Sequence, residues 1–412
     1  LYAANSFGAA AGVLVAGFYL VQRVGLPGTL ITAAILNLLV ALVTAALVLR
    51  RLRYAPYEAA DPVAPPHRLV DRADDPWPAL RPLLLAVTVG TAMTSLVYEI
   101  GWLRMLALVL GSTTHSFELM LSAFILGLAL GSLWMRERAD RFRDPVRALG
   151  FVQCAMGALA VATLPLYITS FTWASKLLLA FTKTAEGYVG FTLSRYAICV
   201  VIMVPATFFA GMTLPLITRL LYRAGADERA IGEVYAVNTA GSIVGVQLAG
   251  LVLMPVLGVK WLLIAGAALD VLLGLALLYA TARRHRGSFV PLALAAGVSA
   301  LIFVGGASTA HFDKALLASG VFRSGSLPEP GRYTTLFYRD GRTASVSVRR
   351  TAAGDVILST NGKPDASVSA AQLSVDSTRP KLELREDGMT QVLLGLIPLA
   401  HMPHAQDVAV IG

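Results

Sequence analysis

Ionisable and amide side chains stranded inside long apolar runs are the groups of this chain with chemistry to offer. Glu99 and Arg104 fall in Leu96-Val-Tyr-Glu-Ile-Gly-Trp-Leu-Arg104, Arg195 and Asp270 each stand alone in an apolar stretch, and Asn5 and Asn238 sit at the head of two glycine-rich runs. In hydrocarbon such groups are costly, so they face a bundle interior, pair with one another, or handle a proton, a cation or a polar solute. Glu99 and Arg104 are five residues apart, about 140° around a helix, so each is expected to pair with another helix. Structural pairing and ligand handling both account for them. Arg195 and Asp270 are expected to find interior partners, and His115 and Glu118, just after the short turn at 111–114, an interfacial place. Cys154 and Cys199 show no CxxC or metal-ligand spacing and read as small buried hydrophobes. No metal site is expected.

The elements that must position these groups are membrane helices. The 412 residues are 56% hydrophobic and 14% charged, with mean hydropathy +0.67. Soluble domains carry about 25% charged residues, which excludes a soluble enzyme for most of the chain. The net charge of +9 is concentrated in residues 1–306, with 23 Lys/Arg against 15 Asp/Glu. That excess fits cationic loops held on the cytoplasmic side, with the lipid bilayer as partner and no nucleic acid. Spans of about 20 apolar residues are expected near 1–22, 28–49, 82–109, 115–135, 148–170, 191–218, 233–256, 261–282 and 288–306. The Pro-rich, charged stretch 50–81 reads as a polar linker.

A repeat organises the spans. Residues 1–51 slide without a gap onto 234–284: Tyr2, Asn5, Gly8, Gly12, Gly17 and Gly25 meet Tyr235, Asn238, Gly241, Gly245, Gly250 and Gly258. Glycines at these steps let helices approach closely, as do Gly127 and Gly131, and the asparagine amide must bond a neighbour or line a cavity. Helix packing and a substrate pathway both fit the Asn-Gly runs. The expected organisation is 1–49 as the last two helices of a first six-helix repeat, 82–284 as a complete second one, 285–308 as an additional helix and 309–412 as a separate tail. Parallel six-helix repeats are the architecture of major-facilitator-like transporters. Arginines recur at 50–53, 136–147, 219–229 and 283–286, in every second connection, and assign those ends to the cytoplasm. If 288–306 crosses, the tail lies on the opposite side.

The tail has strand-like segments at 332–338, 343–350 and 355–360 separated by Asp340-Gly341 and Ala353-Gly354 turns, with Asn361-Gly362 closing the third. A helix is expected at 388–400 and a strand at 407–411. A small antiparallel sheet, a helix and the first strand of an α/β domain form a coherent order. The chain reads as a fragment of a longer protein.

Taken together, Leu96-Val-Tyr-Glu-x-x-Trp-x-Arg104, Leu110-Gly-Ser-x-x-x-Ser-Phe117, Leu126-Gly-x-x-Leu-Gly-Ser132, Gly211-Met-Thr-Leu-Pro215 and Tyr235-Ala-Val-Asn-Thr239 resemble the membrane part of bacterial fused transporter/spermidine synthase-like proteins. His311-Phe-Asp-x-x-Leu-x-x-Ser-Gly-Val-Phe322, Tyr338-Arg-Asp-Gly-Arg-Thr-Ala-Ser-Val-Ser-Val348 and Asn361-Gly-Lys-Pro-Asp-Ala-Ser367 are similar to the segments that follow it. The resemblance implies a multi-pass protein of the bacterial inner membrane. It implies a Rossmann-like domain begun at 407–411, and for the parent protein aminopropyl transfer from decarboxylated S-adenosylmethionine to a diamine. In this stretch it offers no catalytic residue and no bound cofactor. It points to Asp365, Gln391 and Gly412 as substrate-binding positions, although the soluble enzymes carry Gln at the first and Tyr-His at Thr390-Gln391. The competing readings are a polyamine or small-cation transporter or sensor whose tail only binds ligand, for which Asn5, Glu99, Asn238 and Asp270 would matter most, and a non-catalytic scaffold.

Overall fold

The computed structural model describes residues 2–54, 80–182, 184–223, 229–284, 288–370, 386–402, 404 and 406–407. Nine main helices precede a small sheet: α1 (Tyr2–Val15), α2 (Val21–Tyr54), α3 (Leu80–Leu110), α4 (Thr114–Arg138), α5 (Pro145–Ala180), α6 (Ala185–Arg223), α7 (Arg229–Gln247), α8 (Met254–Arg284) and α9 (Val290–Thr309). Among the described residues, seven helical stretches are long and apolar enough to cross a bilayer, the make-up of a multi-pass membrane protein. Two of the seven, Ala3–Arg51 and Ile231–Arg284, each hold a pair of the expected spans. The 50–81 linker expectation falls largely on residues outside those described, but Arg50–Tyr54 continue α2 and Leu80 and Arg81 open α3. The connection expected at 171–190 is also shorter, because α5 runs on to Ala180 and α6 starts at Ala185.

The two aligned copies share their local backbone. A π-helical segment, Ala16–Leu20, joins α1 to α2, and another, Leu248–Leu253, joins α7 to α8. Each is followed by a glycine with positive φ inside the merged helix: Gly25 (φ 68°, ψ −178°) and Gly258 (φ 75°, ψ 171°). Any L side chain would be strained there. The packing of the copies differs. Gly241 and Gly245 press α7 against α3, where a β-carbon would fall within 2.7 Å of Val89 and Met93 backbone atoms, whereas Gly8 and Gly12 have nothing within 4 Å.

The bundle packs α4 on α6, α5 on α6 and α8, α3 on α7 and α8, and α1 on α4. α9 lies against α5 and α8. Its 20 residues span about 30 Å, the thickness of a bilayer core, and it is unbroken at Gly305-Gly306. Its C-terminal carbonyls, of Ala307 and Ala310, accept bonds of 2.9 Å each from Lys260 Nζ, a cation where the helix dipole favours one.

After α9 come two single-turn helices, α10 (Lys314–Leu317) and α11 (Val321–Ser324), then β1 (Tyr333–Asp340), β2 (Ser345–Thr351), β3 (Val356–Thr360) and β4 (Lys363–Val368), paired antiparallel in that order. The fourth strand is a correction. Asn361 (φ 49°) and Gly362 (φ 78°) form a two-residue hairpin turn with both φ positive, so the chain doubles back where the sequence reading ended the sheet. Pro364 is tolerated because β4 is an edge strand. Ala310, Leu317 and Val321 are buried in the same apolar cluster as Trp102, Tyr167 and Phe171, so the tail and the bundle share one core. α12 (Glu386–His401) matches the expected helix, while the strand expectation at 407–411 and Gly412 fall almost wholly outside the described residues.

Candidate functional site

Asp270, at mid-length in α8, is completely buried. Gly157 of α5 and Gly266 of α8 leave the room: a β-carbon at Gly157 would meet Asp270 Cβ at 3.2 Å, and one at Gly266 would meet Tyr98 at 3.1 Å. The carboxyl has neutral partners only. Thr94 Oγ1 lies 2.7 Å from Oδ1, and Tyr98 Oη bonds Oδ2. The expected interior ion pair is therefore absent among the described residues, and the interior partners are hydroxyls of α3. Thr94 Oγ1 also lies 3.0 Å from the Thr91 carbonyl. One hydroxyl proton cannot serve both acceptors at full strength.

The polar path continues one turn away. Thr91 Oγ1 donates to the Val87 carbonyl at 2.8 Å and accepts from Gln153 Nε2 of α5, whose Oε1 is buried with no partner among the described residues. A buried acceptor without a donor needs an account, and here it lies in a polar seam that joins α5, α3 and α8. Thr91, Thr94 and Tyr98 escaped the sequence reading because single hydroxyls in an apolar helix are unremarkable. Their spacing of three and four, which puts them on one face, was the available signal.

Arg104 does not pair with a helix as expected. It reaches out of the bundle to the β1–β2 turn, donating to the Thr343 carbonyl and, at 3.3 Å each, to the Gly341 carbonyl and Ser345 Oγ. Beside it Asp340 accepts from Ser345 Oγ (2.6 Å), Tyr338 Oη (3.0 Å) and the amide of Val259 (3.2 Å), immediately after the Gly258 break. Burial, and then the neighbouring Asp340, push the Tyr338 phenol above its ordinary range, so it stays a donor. Asn361 Nδ2 adds a bond to Ser112 Oγ at 3.1 Å. These contacts fix the sheet to the end of the bundle away from the arginine-rich connections. Glu99, half-buried on α3, has no hydrogen-bond or ion-pair partner among the described residues.

The remaining sites are dispersed. Asn5 is exposed and Asn238 half-exposed; contrary to expectation neither amide bonds a described neighbour, and they lie in different helices. Arg195, 7% exposed, donates to the Leu110 carbonyl at 2.7 Å and to Ser116 Oγ rather than to an acid. His115 and Glu118 pair with each other at 3.0 Å, with Phe18 stacked on the imidazole at 4.6 Å. Asp140, in the α4–α5 connection, takes two bonds from Arg219. Asp365 is exposed on β4 and lies 3.9 Å from Lys363, its neighbour two residues away. Gln391 is in α12, its side chain outside the described residues together with Gly412. No substrate site built from Asp365, Gln391 and Gly412 is assembled among the described residues. No group of three or more His, Cys, Asp or Glu side chains that could hold a metal occurs among them either.

Comparison with protein-family models, with curated proteins and with solved structures gives no match.

Proposed function

We propose that this chain is a transporter-like membrane protein of the bacterial inner membrane in which Asp270 is a proton- or cation-handling group, a polyamine or other small organic cation being the solute class. The observation that carries the reading is a fully buried carboxyl with no cationic partner among the described residues. A group of that kind at the centre of an apolar bundle is retained at an energetic cost and is a functional site by default. The orphan Gln153 Oε1 in the same seam supports a polar occupant. The aminopropyl-transfer reading rests on the quoted motifs alone.

The test is uptake into proteoliposomes that hold the whole chain, with labelled putrescine and spermidine as probes under an imposed pH gradient. Wild type is expected to accumulate at least one of them. Asp270→Asn should fall to the level of empty liposomes, and Asp270→Glu should retain part of the flux. Equal uptake by wild type and the Asn variant, or none by wild type, would refute the reading.

Sidedness follows from the same arrangement. With arginine-rich ends in the cytoplasm and α9 crossing, the sheet faces outward. A reporter fused after Ser308 is expected to give active phosphatase and silent green fluorescence. The reverse pattern would put the sheet in the cytoplasm and reopen the synthase reading.

A further inference from the structure

A second site lies outside the bundle, in a cavity of about 410 Å³ between the sheet, where Tyr333, Arg349, Ile357 and Pro364 line it from all four strands, and the segment that connects the sheet to α9. That size lies within the usual range for small-molecule sites. Three guanidinium groups, Arg323, Arg332 and Arg349, line it, and no acidic residue does. Arg349 is only 6% exposed. It stacks on the Tyr333 ring at 4.8 Å, and its Nε is buried without a hydrogen-bond partner among the described residues. Ser319 Oγ, also on the lining, is buried and likewise without one. Burial holds the Arg349 guanidinium below its ordinary range, as happens when a cation is desolvated without an anion beside it. Arg332 is partly offset by Glu329 at 3.7 Å, both largely exposed. Arg323 is exposed at the mouth.

Carboxylate and phosphate oxygens match the planar fork of a guanidinium, and Arg349, unlike Arg195, has no carbonyl or hydroxyl partner among the described residues. We infer that this cavity binds a phosphate-bearing anion, with Arg349 at its floor, Ser319 Oγ as a further donor, and Arg323 and Arg332 at its rim. The chemistry is opposite to that required for a polyamine, which three guanidiniums would repel. The cavity also adjoins the end of the apolar helix α5, because Gly325, between the lining residues Ser324 and Ser326, packs against Leu178 and Leu179 and its carbonyl accepts from Ser175. The phosphate could therefore belong to a lipid headgroup or to a soluble ester. The site stands independently of Asp270.

The whole chain in detergent would be titrated with inorganic phosphate and glycerol 1-phosphate. In parallel, the chain in nanodiscs of phosphatidylglycerol would be compared with the chain in phosphatidylcholine nanodiscs by its thermal stability. Saturable binding of either soluble probe assigns a soluble ester; stabilisation by phosphatidylglycerol alone assigns a headgroup. In either arm Arg349→Gln is expected to weaken the effect by about tenfold or more, the scale of one lost charge-assisted bond. Arg323→Gln and Ser319→Ala, at positions where folding should survive, are expected to weaken it by smaller factors. The inference is overturned if neither arm responds, if spermidine competes for the site, or if Arg323→Gln and Ser319→Ala both bind as wild type.

Discussion

Valine at position 131 is expected to lower the thermal stability of the bundle more than any surface substitution. Gly131 of α4 faces the backbone of α6 so closely that its missing β-carbon would overlap the Phe208 carbonyl, whereas one at Gly127 would overlap the Thr207 side chain. From the other side, Gly211 of α6 sits against the backbone of Leu128. Gly131 and Gly211 thus let two helices touch main chain to main chain, where dispersion contacts and not hydrophobic exclusion hold helices together in lipid. Backbone cannot swing aside as a flexible side chain can. Gly131→Val must push the helices apart and should cost about 1–3 kcal/mol or more, with Gly131→Ala intermediate. Thermal unfolding in detergent followed by size-exclusion chromatography checks this. A melting temperature for Gly131→Val equal to that of wild type would mean that the α4–α6 contact is not close-packed.

Arg104→Ala is expected to free the sheet from the bundle without unfolding either. The guanidinium makes three bonds to the β1–β2 turn and lies beside Asp340, which would lose its cation. Hydrogen bonds to a charged group contribute about 1.5–3 kcal/mol each, though they do not add fully, so a loss of about 2–4 kcal/mol in docking is expected. Hydrogen exchange should rise in 333–368 while α3, α5 and α8 keep their protection. Arg104→Lys should give an intermediate rise, because an ammonium cannot reproduce the fork. Unchanged exchange in the sheet of Arg104→Ala would show that the shared apolar core alone holds it.

What could be read beforehand follows from how far each signal reaches along the chain. Spans were legible because lipid selects runs of apolar residues, and three strands because alternation and turn glycines are local. The fourth strand was missed because Pro364 reads as a breaker unless the strand is known to lie at an edge. The repeat in sequence finds its counterpart in the backbone at Gly25 and Gly258, where the requirement for glycine is also local. Partners were harder. Arg104 was expected to pair with a helix, but its acceptors lie in a turn more than two hundred residues away, and nothing in the order of residues encodes that distance. Asp270 was recognised as interior, yet its partners proved to be hydroxyls, whose low polarity leaves little trace in an apolar helix. The arginine-lined cavity escaped notice because its residues come from a linker and four strands that only the fold brings together.

The two glycine breaks are bridged by different means. A break in a helix leaves amides without the carbonyls of the preceding turn. In the first copy Pro27 follows Gly25 two residues on and has no amide to satisfy. In the second copy Lys260 holds that position, and the amide of Val259 just before it is capped by Asp340 of the sheet, while Lys260 itself caps α9. The membrane half has thus delegated part of its own backbone bonding to the sheet. A bundle cut off after α9 would leave the Val259 amide without its acceptor, so the two parts are a poor pair to separate unless a new acceptor takes over from Asp340.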